Sequence, residues 1–252
     1  MKAIIVLSLI YIINCQKPSP PVYVTDCSRK TTPWVSGQVG YVVCNEGTCE
    51  TAQIGALSRQ VYNNIACNSA TSWGSVAGVV GIDATGSGIS QFPFLQKGAR
   101  DSLVACVNAK RATVGADLVI NSAVRVSSQQ HLLYQWGNRN KCVGLVAVPG
   151  TSNHEAGLSV DINNYQAWST SLQAYSFAPI GSSDPVHFDY TGPPNINPAT
   201  AKSNDVKSFQ ALWNLNNPTD TISVTGVYDA ATALRFDKSP VAGFTNTNCA
   251  PF

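Results

Sequence analysis

Two short stretches constrain this chain more than any other part: residues 152–161 (S-N-H-E-A-G-L-S-V-D) and 184–190 (D-P-V-H-F-D-Y). In the first, Leu158, Val160 and Ile162 alternate with Ser159 and Asp161, the period of a strand with its apolar face inward and Asp161 on the other face. In the second, Val186 and Phe188 alternate in the same way with His187 and Asp189, and Pro185 marks the start of the strand. His154 falls in the loop before the first strand, where Gly157 is free to make the turn that folds its imidazole back over Asp161. If the two strands lie side by side and antiparallel, His154, Asp161 and His187 converge as two nitrogens and one oxygen. That donor set suits a divalent metal, zinc above all, with a fourth position left open for a water that can attack a carbonyl. Asp184, three residues before His187 and across the Pro185 turn, is the candidate general base for that water. The chain holds only three histidines. The third, His131, lies within an expected helix without a partner and is assigned no role.

The remaining chain sets the context. Residues 1–15 carry Lys2 and then an apolar run too short for the ~20 residues of a membrane span, which predicts a secretory signal peptide cut after Asn14 or Cys15. No second long apolar run follows, so the mature protein is expected to be secreted and extracellular, or periplasmic in a Gram-negative producer. Cys27, Cys44, Cys49, Cys67, Cys106, Cys142 and Cys249 lack the paired spacing of a zinc finger and suit disulfides in an oxidising compartment. Their number is odd, so one thiol is free, pairs with another chain, or pairs with a retained Cys15. The spacing of Cys44 and Cys49 suggests a small loop closed by its own bridge. Charged residues make up only 12% of the chain and the formal net charge is +2, which leaves no basic stripe for nucleic acid.

In chain order, residues 16–87 form a cysteine-containing N-terminal segment with a helix over residues 54–65 and a strand over 76–82. Leu95, Ala99, Leu103, Cys106 and Val107 recur at helical steps and predict a four-turn amphipathic helix ending near Lys110 and Arg111. A buried strand follows over 117–125, with Arg125 at its exit, and then a helix over 128–136. Beyond Tyr190, residues 193–204 read as a linker. Residues 205–252 form a small helical module, with helices over 206–215 and 228–236, that is too small to stand alone without the main domain or a disulfide through Cys249.

The pattern Ser-x-His-x2-Gly-x3-Asp followed by Asp-x2-His-x-Asp resembles the zinc D-alanyl-D-alanine carboxypeptidases and their relatives, the D-alanyl-D-alanine dipeptidases and L-alanyl-D-glutamate endopeptidases. These share a fold with the hedgehog signalling domain. The resemblance covers residues 88–192. It implies an α+β domain, a small antiparallel sheet with flanking helices, holding Zn2+ on His154, Asp161 and His187, with Asp184 as the catalytic acid–base. Upstream, Val124-Arg125-Val126 followed by Gln129 and Gln130 is similar to the family's Tyr-Arg-Ser and later Gln. This implies that Arg125 holds a substrate carboxylate or polarises the scissile carbonyl, and that Gln130 and Ser152 contact substrate. Val124 and Val126 depart from the usual aromatic and Ser, which touches substrate contacts rather than the metal. The tail looks like a degenerate peptidoglycan-binding module. The implied protein is a monomeric peptidase acting on bacterial cell-wall peptidoglycan, most simply as a D-alanyl-D-alanine carboxypeptidase. An L-alanyl-D-glutamate endopeptidase, or a non-catalytic wall binder that keeps the fold, are the alternatives.

Overall fold

The structure, a computed structural model, describes residues 23–28, 34–69, 72–86, 92–142 and 146–252. The expected signal segment lies outside them. The N-terminal part contributes helices α1 (Val39–Asn45) and α2 (Gly55–Ser69), separated by a 3₁₀ turn at Thr51–Ile54. Short strands β1 (Trp73–Ser75), β2 (Ile82–Asp83) and β3 (Phe94–Gln96) lead into helix α3 (Lys97–Val114). Strand β4 (Leu118–Ser122) and helix α4 (Ser127–Gly137) precede the two polar stretches, which supply β5 (Ser159–Ile162) and β7 (His187–Tyr190) on either side of α5 (Tyr165–Ala174) and β6 (Phe177–Pro179). Helices α6 (Pro198–Asn216) and α7 (Ala230–Lys238) finish the chain.

The fold is the expected α+β arrangement. Its main sheet runs β2-β4-β5-β7-β6, and β1 pairs with β3 in a separate ribbon. Every pair in the main sheet is antiparallel except β2 with β4, which is parallel, so the small sheet is mixed at one edge. Leu118, Ile120, Val160, Ile162, Phe177 and Phe188 bury one face of it against Ala99, Leu103 and Val107 of α3 and Trp168 and Leu172 of α5. This alternation of buried and open positions is what frees the opposite face for polar groups.

A second core is helical and draws on both ends of the chain. Leu57, Val61 and Ile65 of α2, Leu132 and Trp136 of α4, and Phe209, Leu212 and Phe236 of α6 and α7 share one buried cluster. Helix α4 is enclosed on nearly every side, with Gln129, Gln130, His131 and Gln135 all buried. These four side chains are paired internally. His131 does have partners, against the expectation from sequence: its Nδ1 lies 2.8 Å from the Tyr228 hydroxyl and its Nε2 3.0 Å from Asp237. Both partners are about a hundred residues away in sequence, which is why spacing alone did not show them.

Several other local expectations are corrected. Residues 76–82 are not one strand: the run turns at Gly81 (φ +86°), where a Cβ would meet Arg111 and Val107 of α3, and only Ile82 and Asp83 pair with β4. Leu95 belongs to β3 and not to the following helix. Strand β7 begins at His187, because residues 184–186 are still in the turn and the His187 N–H donates to the Asp184 carbonyl at 3.3 Å. Residues 198–204, expected as linker, are the first turns of α6. Pro198 opens that helix, and the Asn197 side chain accepts from the N–H groups of Ala199 and Thr200. The last helix starts at Ala230, capped by Asp229, and leaves Tyr228 in the preceding loop. Cys44 and Cys49 do not bridge each other. The disulfides are Cys27–Cys44, Cys49–Cys142 and Cys67–Cys249, and Cys106 is the free thiol among the described residues. Cys106 is buried in α3, and burial pushes its thiol up to about 11, so it is an inert core residue.

Candidate metal centre

The register of β5 on β7 places Asp161 directly opposite His187, and Val160 opposite Phe188. The apolar pair enters the core and the polar pair emerges on the other face. His154 arrives from the loop ahead of β5, which closes on Gly157 at φ +66°, the left-handed conformation glycine takes without strain. The close approach is as demanding as the dihedral: a Cβ at Gly157 would stand 2.3 Å from the Trp73 ring.

Three donor atoms meet at this point. Nε2 of His154 and Nδ1 of His187 each lie 3.2 Å from Oδ1 of Asp161, and 3.2 Å from each other. Among the described residues this is the one cluster of His, Cys, Asp and Glu with donor atoms so close together. The outer nitrogens explain why these atoms face inward. Nδ1 of His154 lies 2.7 Å from the Ala123 carbonyl, and Nε2 of His187 lies 2.9 Å from Oδ1 of Asp189. Each of those acceptors requires a ring N–H, so the inward nitrogens of the neutral imidazoles present lone pairs. Oδ1 of Asp161 is itself buried and accepts no well-aligned hydrogen bond. Two lone pairs and a carboxylate oxygen aimed at one point repel unless a cation lies between them. Ligands about 2.0–2.1 Å from a tetrahedral zinc ion stand about 3.3–3.4 Å apart, close to the observed spacing. The residues present therefore fit zinc.

The electrostatics differ between the two imidazoles, because the carboxylates around His187 hold a positive charge there in the way a bound cation would. Burial pushes the His154 imidazole down, against the pull of Asp161, so it favours the neutral form a metal needs. For His187 burial acts in the same direction, but Asp161 and Asp189 outweigh it and push the imidazole up to about 9. Burial would raise the Asp161 carboxyl, yet the two imidazoles and Arg125 hold it well below the usual range. Asp189 is likewise lowered to about 2, because its hydrogen bonds from His187 and Ser159 outweigh burial.

Arg125 leaves β4 and reaches the same point. One of its guanidinium nitrogens donates to Oδ2 of Asp161 at 3.2 Å and, more weakly, to Ser122 at 3.4 Å, while the other donates to Gln130 at 3.3 Å. Gln130 in turn donates to the Ala147 carbonyl at 2.7 Å. The ion pair with Oδ2 turns Oδ1 toward the histidines. Ser152 lies in the metal loop, almost wholly buried. Its hydroxyl accepts from the His154 N–H at 3.2 Å, and its own N–H donates to Glu155 at 3.0 Å. Asp184 stands apart from the three donor atoms, in the half-buried turn that feeds β7. Its carboxylate makes no hydrogen bond among the described residues, and its backbone carbonyl receives the His187 N–H.

Sequence reasoning left three residues of this site without a role, the pair Asp189 and Ser159 in one place and Glu155 in another. Asp189 orients His187, and Ser159, opposite it in register, donates to the same Oδ1 at 2.5 Å. The signal was present in the period of two: Asp189 shares a face with His187, and Ser159 with Asp161. Glu155 is the third. It is buried beside His154 and ties the loop by accepting the N–H groups of Gly150 and Ser152 at 2.7 and 3.0 Å.

No curated protein and no solved structure matches the chain. Residues 94–183 match the family model VanY, D-alanyl-D-alanine carboxypeptidase. The matched stretch takes in Arg125, His154 and Asp161 and stops just short of Asp184 and of His187, the second of which the register of β5 on β7 sets opposite Asp161. Residues 94–183 are thus a domain of the D-alanyl-D-alanine carboxypeptidase family.

Proposed function

We propose that this protein is a secreted, zinc-dependent peptidase that removes the terminal D-alanine from peptidoglycan stem peptides. The observation that carries the metal half of this reading is the triangle of His154, Asp161 and His187 donor atoms, 3.2 Å on each side. The family match supports the substrate half. Disulfides, and the absence among the described residues of any helix long and apolar enough to cross a membrane, support export to an oxidising compartment.

A zinc ion held by the three side chains supplies Lewis acidity toward a carbonyl and a water molecule. The rest of the chemistry belongs to the chain. Arg125, held by Asp161 and Gln130, keeps a forked guanidinium beside the reacting carbonyl or the terminal carboxylate, where two parallel donors fix an anionic group. Asp184 takes the proton of the attacking water and delivers it to the leaving amine, a task that suits a carboxylate with no competing hydrogen bond. Asp189 and the Ala123 carbonyl fix the tautomers of the two imidazoles.

The test is mass spectrometry of a synthetic stem pentapeptide incubated with the zinc-loaded protein. Loss of one D-alanine, abolished by a chelator, is the expected result. An internal cut would mark an endopeptidase, and no chelator-sensitive product would mark a binder. Asp184→Asn is expected to keep its zinc and lose about 10²–10⁴ in turnover, the usual contribution of a general acid–base. Undiminished cleavage by that variant would remove Asp184 from the mechanism.

A further inference from the structure

Arg125 also lines a cleft of about 340 Å³ that adjoins the metal centre. Asn121 and Ser122 at the end of β4 and Gln129 in the first turn of α4 form one side, and Glu50 and Thr51 contribute another. This second wall lies far outside the matched stretch, residues 94–183. It is held firmly at both edges. Cys49 is bridged to Cys142, and the Thr51 hydroxyl accepts a hydrogen bond from Gln129 at 2.9 Å. Lys141, next to that bridge, donates to the carbonyls of Cys44 and Glu46 at 3.0 and 2.7 Å, which pins the approach to the wall. A surface segment tied down in this way is preorganised to recognise a ligand without a further ordering cost.

Among the described residues, the charges lining the cleft are Arg125 and Glu50, of opposite sign. Arg125 is already engaged by Asp161 at 3.2 Å. Glu50 is exposed and makes no ion pair among the described residues, so its charge is available to a ligand. A carboxypeptidase has a single residue on the leaving side of the scissile bond, so a cleft of this size takes the retained part of the peptide.

We propose that Glu50, presented by the disulfide-anchored wall Cys49–Ala52, is a specificity-determining residue that selects peptides carrying a free side-chain amine just before the two terminal residues. This rests on the carboxypeptidase reading above. The contact would be a charge-assisted hydrogen bond, which distinguishes a free amine from an acylated one both by charge and by geometry.

The experiment uses the full zinc-loaded chain and two peptides, L-Lys-D-Ala-D-Ala and the same peptide with its lysine side chain acetylated. The parent is expected to favour the free amine about tenfold in kcat/KM, the scale of one charge-assisted hydrogen bond. Glu50→Gln should erase that ratio and Glu50→Lys should invert it; both changes lie on an exposed loop and leave the core untouched. A parent that treats the two peptides alike, or a Glu50→Gln variant that keeps the parent's ratio, overturns the proposal. If the parent cuts neither peptide, the carboxypeptidase reading fails, and calorimetric binding of the same two peptides decides on Glu50 alone. Tighter binding of the free amine by the parent but not by Glu50→Gln supports the subsite; equal binding refutes it.

Discussion

His187 is held from both sides, Asp161 at its inward nitrogen and Asp189 at its outward one, and the outward contact decides which nitrogen is free for a metal. Asp189→Asn keeps the shape but loses the charge, and an amide rotated the wrong way would offer a donor where an acceptor is needed. Loss of such an orienting partner typically costs 10–100-fold in metal affinity. Competition against a chromophoric chelator should show a drop of about that size, with an unchanged circular dichroism spectrum. A second prediction concerns Asp205, whose carboxyl burial pushes from 3.8 to about 7, and Glu155, raised well above its ordinary value by burial and by Asp205. Oδ1 of Asp205 receives the Ser127 hydroxyl at 2.8 Å, whereas Oδ2 is buried without a hydrogen bond among the described residues. Both carboxyls hold their protons longer in the folded chain than in the unfolded one, so stability falls as pH rises from about 4 through about 7. Asp205→Asn should therefore raise the melting temperature at pH 8, by about 2–4 °C for each kcal/mol recovered, and change it little at pH 5. Scanning calorimetry at the two pH values reads this directly.

At the scale of elements, the site is a consequence of register. A slip of one residue between β5 and β7 would turn Asp161 and His187 into the core and bring Val160 and Phe188 out. The burial of those two apolar residues thus secures the placement of Asp161 and His187 as well as the fold. This part was legible in the sequence, because a period of two with histidine and aspartate on one face has few structural solutions. Helices α2, α3, α4, α6 and α7 were legible from their apolar spacing, with errors at their ends. Leu95 was assigned to a helix because a strand of three residues carries too short a pattern to compete with the periodicity after it. The start of α6 was obscured by the Pro and Asn residues before it, although Asn197-Pro198 is also a helix-opening signal. The wall at Cys49–Ala52 was invisible for another reason. Its place beside Arg125 depends on a bridge between cysteines 93 residues apart, and connectivity of that range is not written in local sequence.

At the scale of the whole molecule, the sheet carries the candidate metal centre while helices from both sides of it in the sequence build the helical core beside it. Cys67–Cys249 joins those two sides across 182 residues. By the chain-entropy argument a bridge over so long a loop stabilises by several kcal/mol, about 5 at most. The double substitution Cys67→Ser with Cys249→Ser should lower the melting temperature by roughly 10 °C, at about 2–4 °C per kcal/mol, while leaving the zinc stoichiometry intact. A loss of zinc along with the bridge would mean that the two cores do not fold separately.

Helix α4 stands between those cores, with Arg125 just ahead of its first turn and α2, α6 and α7 around it. This arrangement has a consequence for biosynthesis. While the chain emerges from the N-terminus, α2 and α4 have only each other and α1 to pack on until α6 and α7 arrive, after β4, β5 and His187 have been made. The ligands are thus complete before the helix that steadies Arg125 is enclosed. A chain released early would hold His154, Asp161 and His187 while the helix behind Arg125 still lacked the cover of α6 and α7.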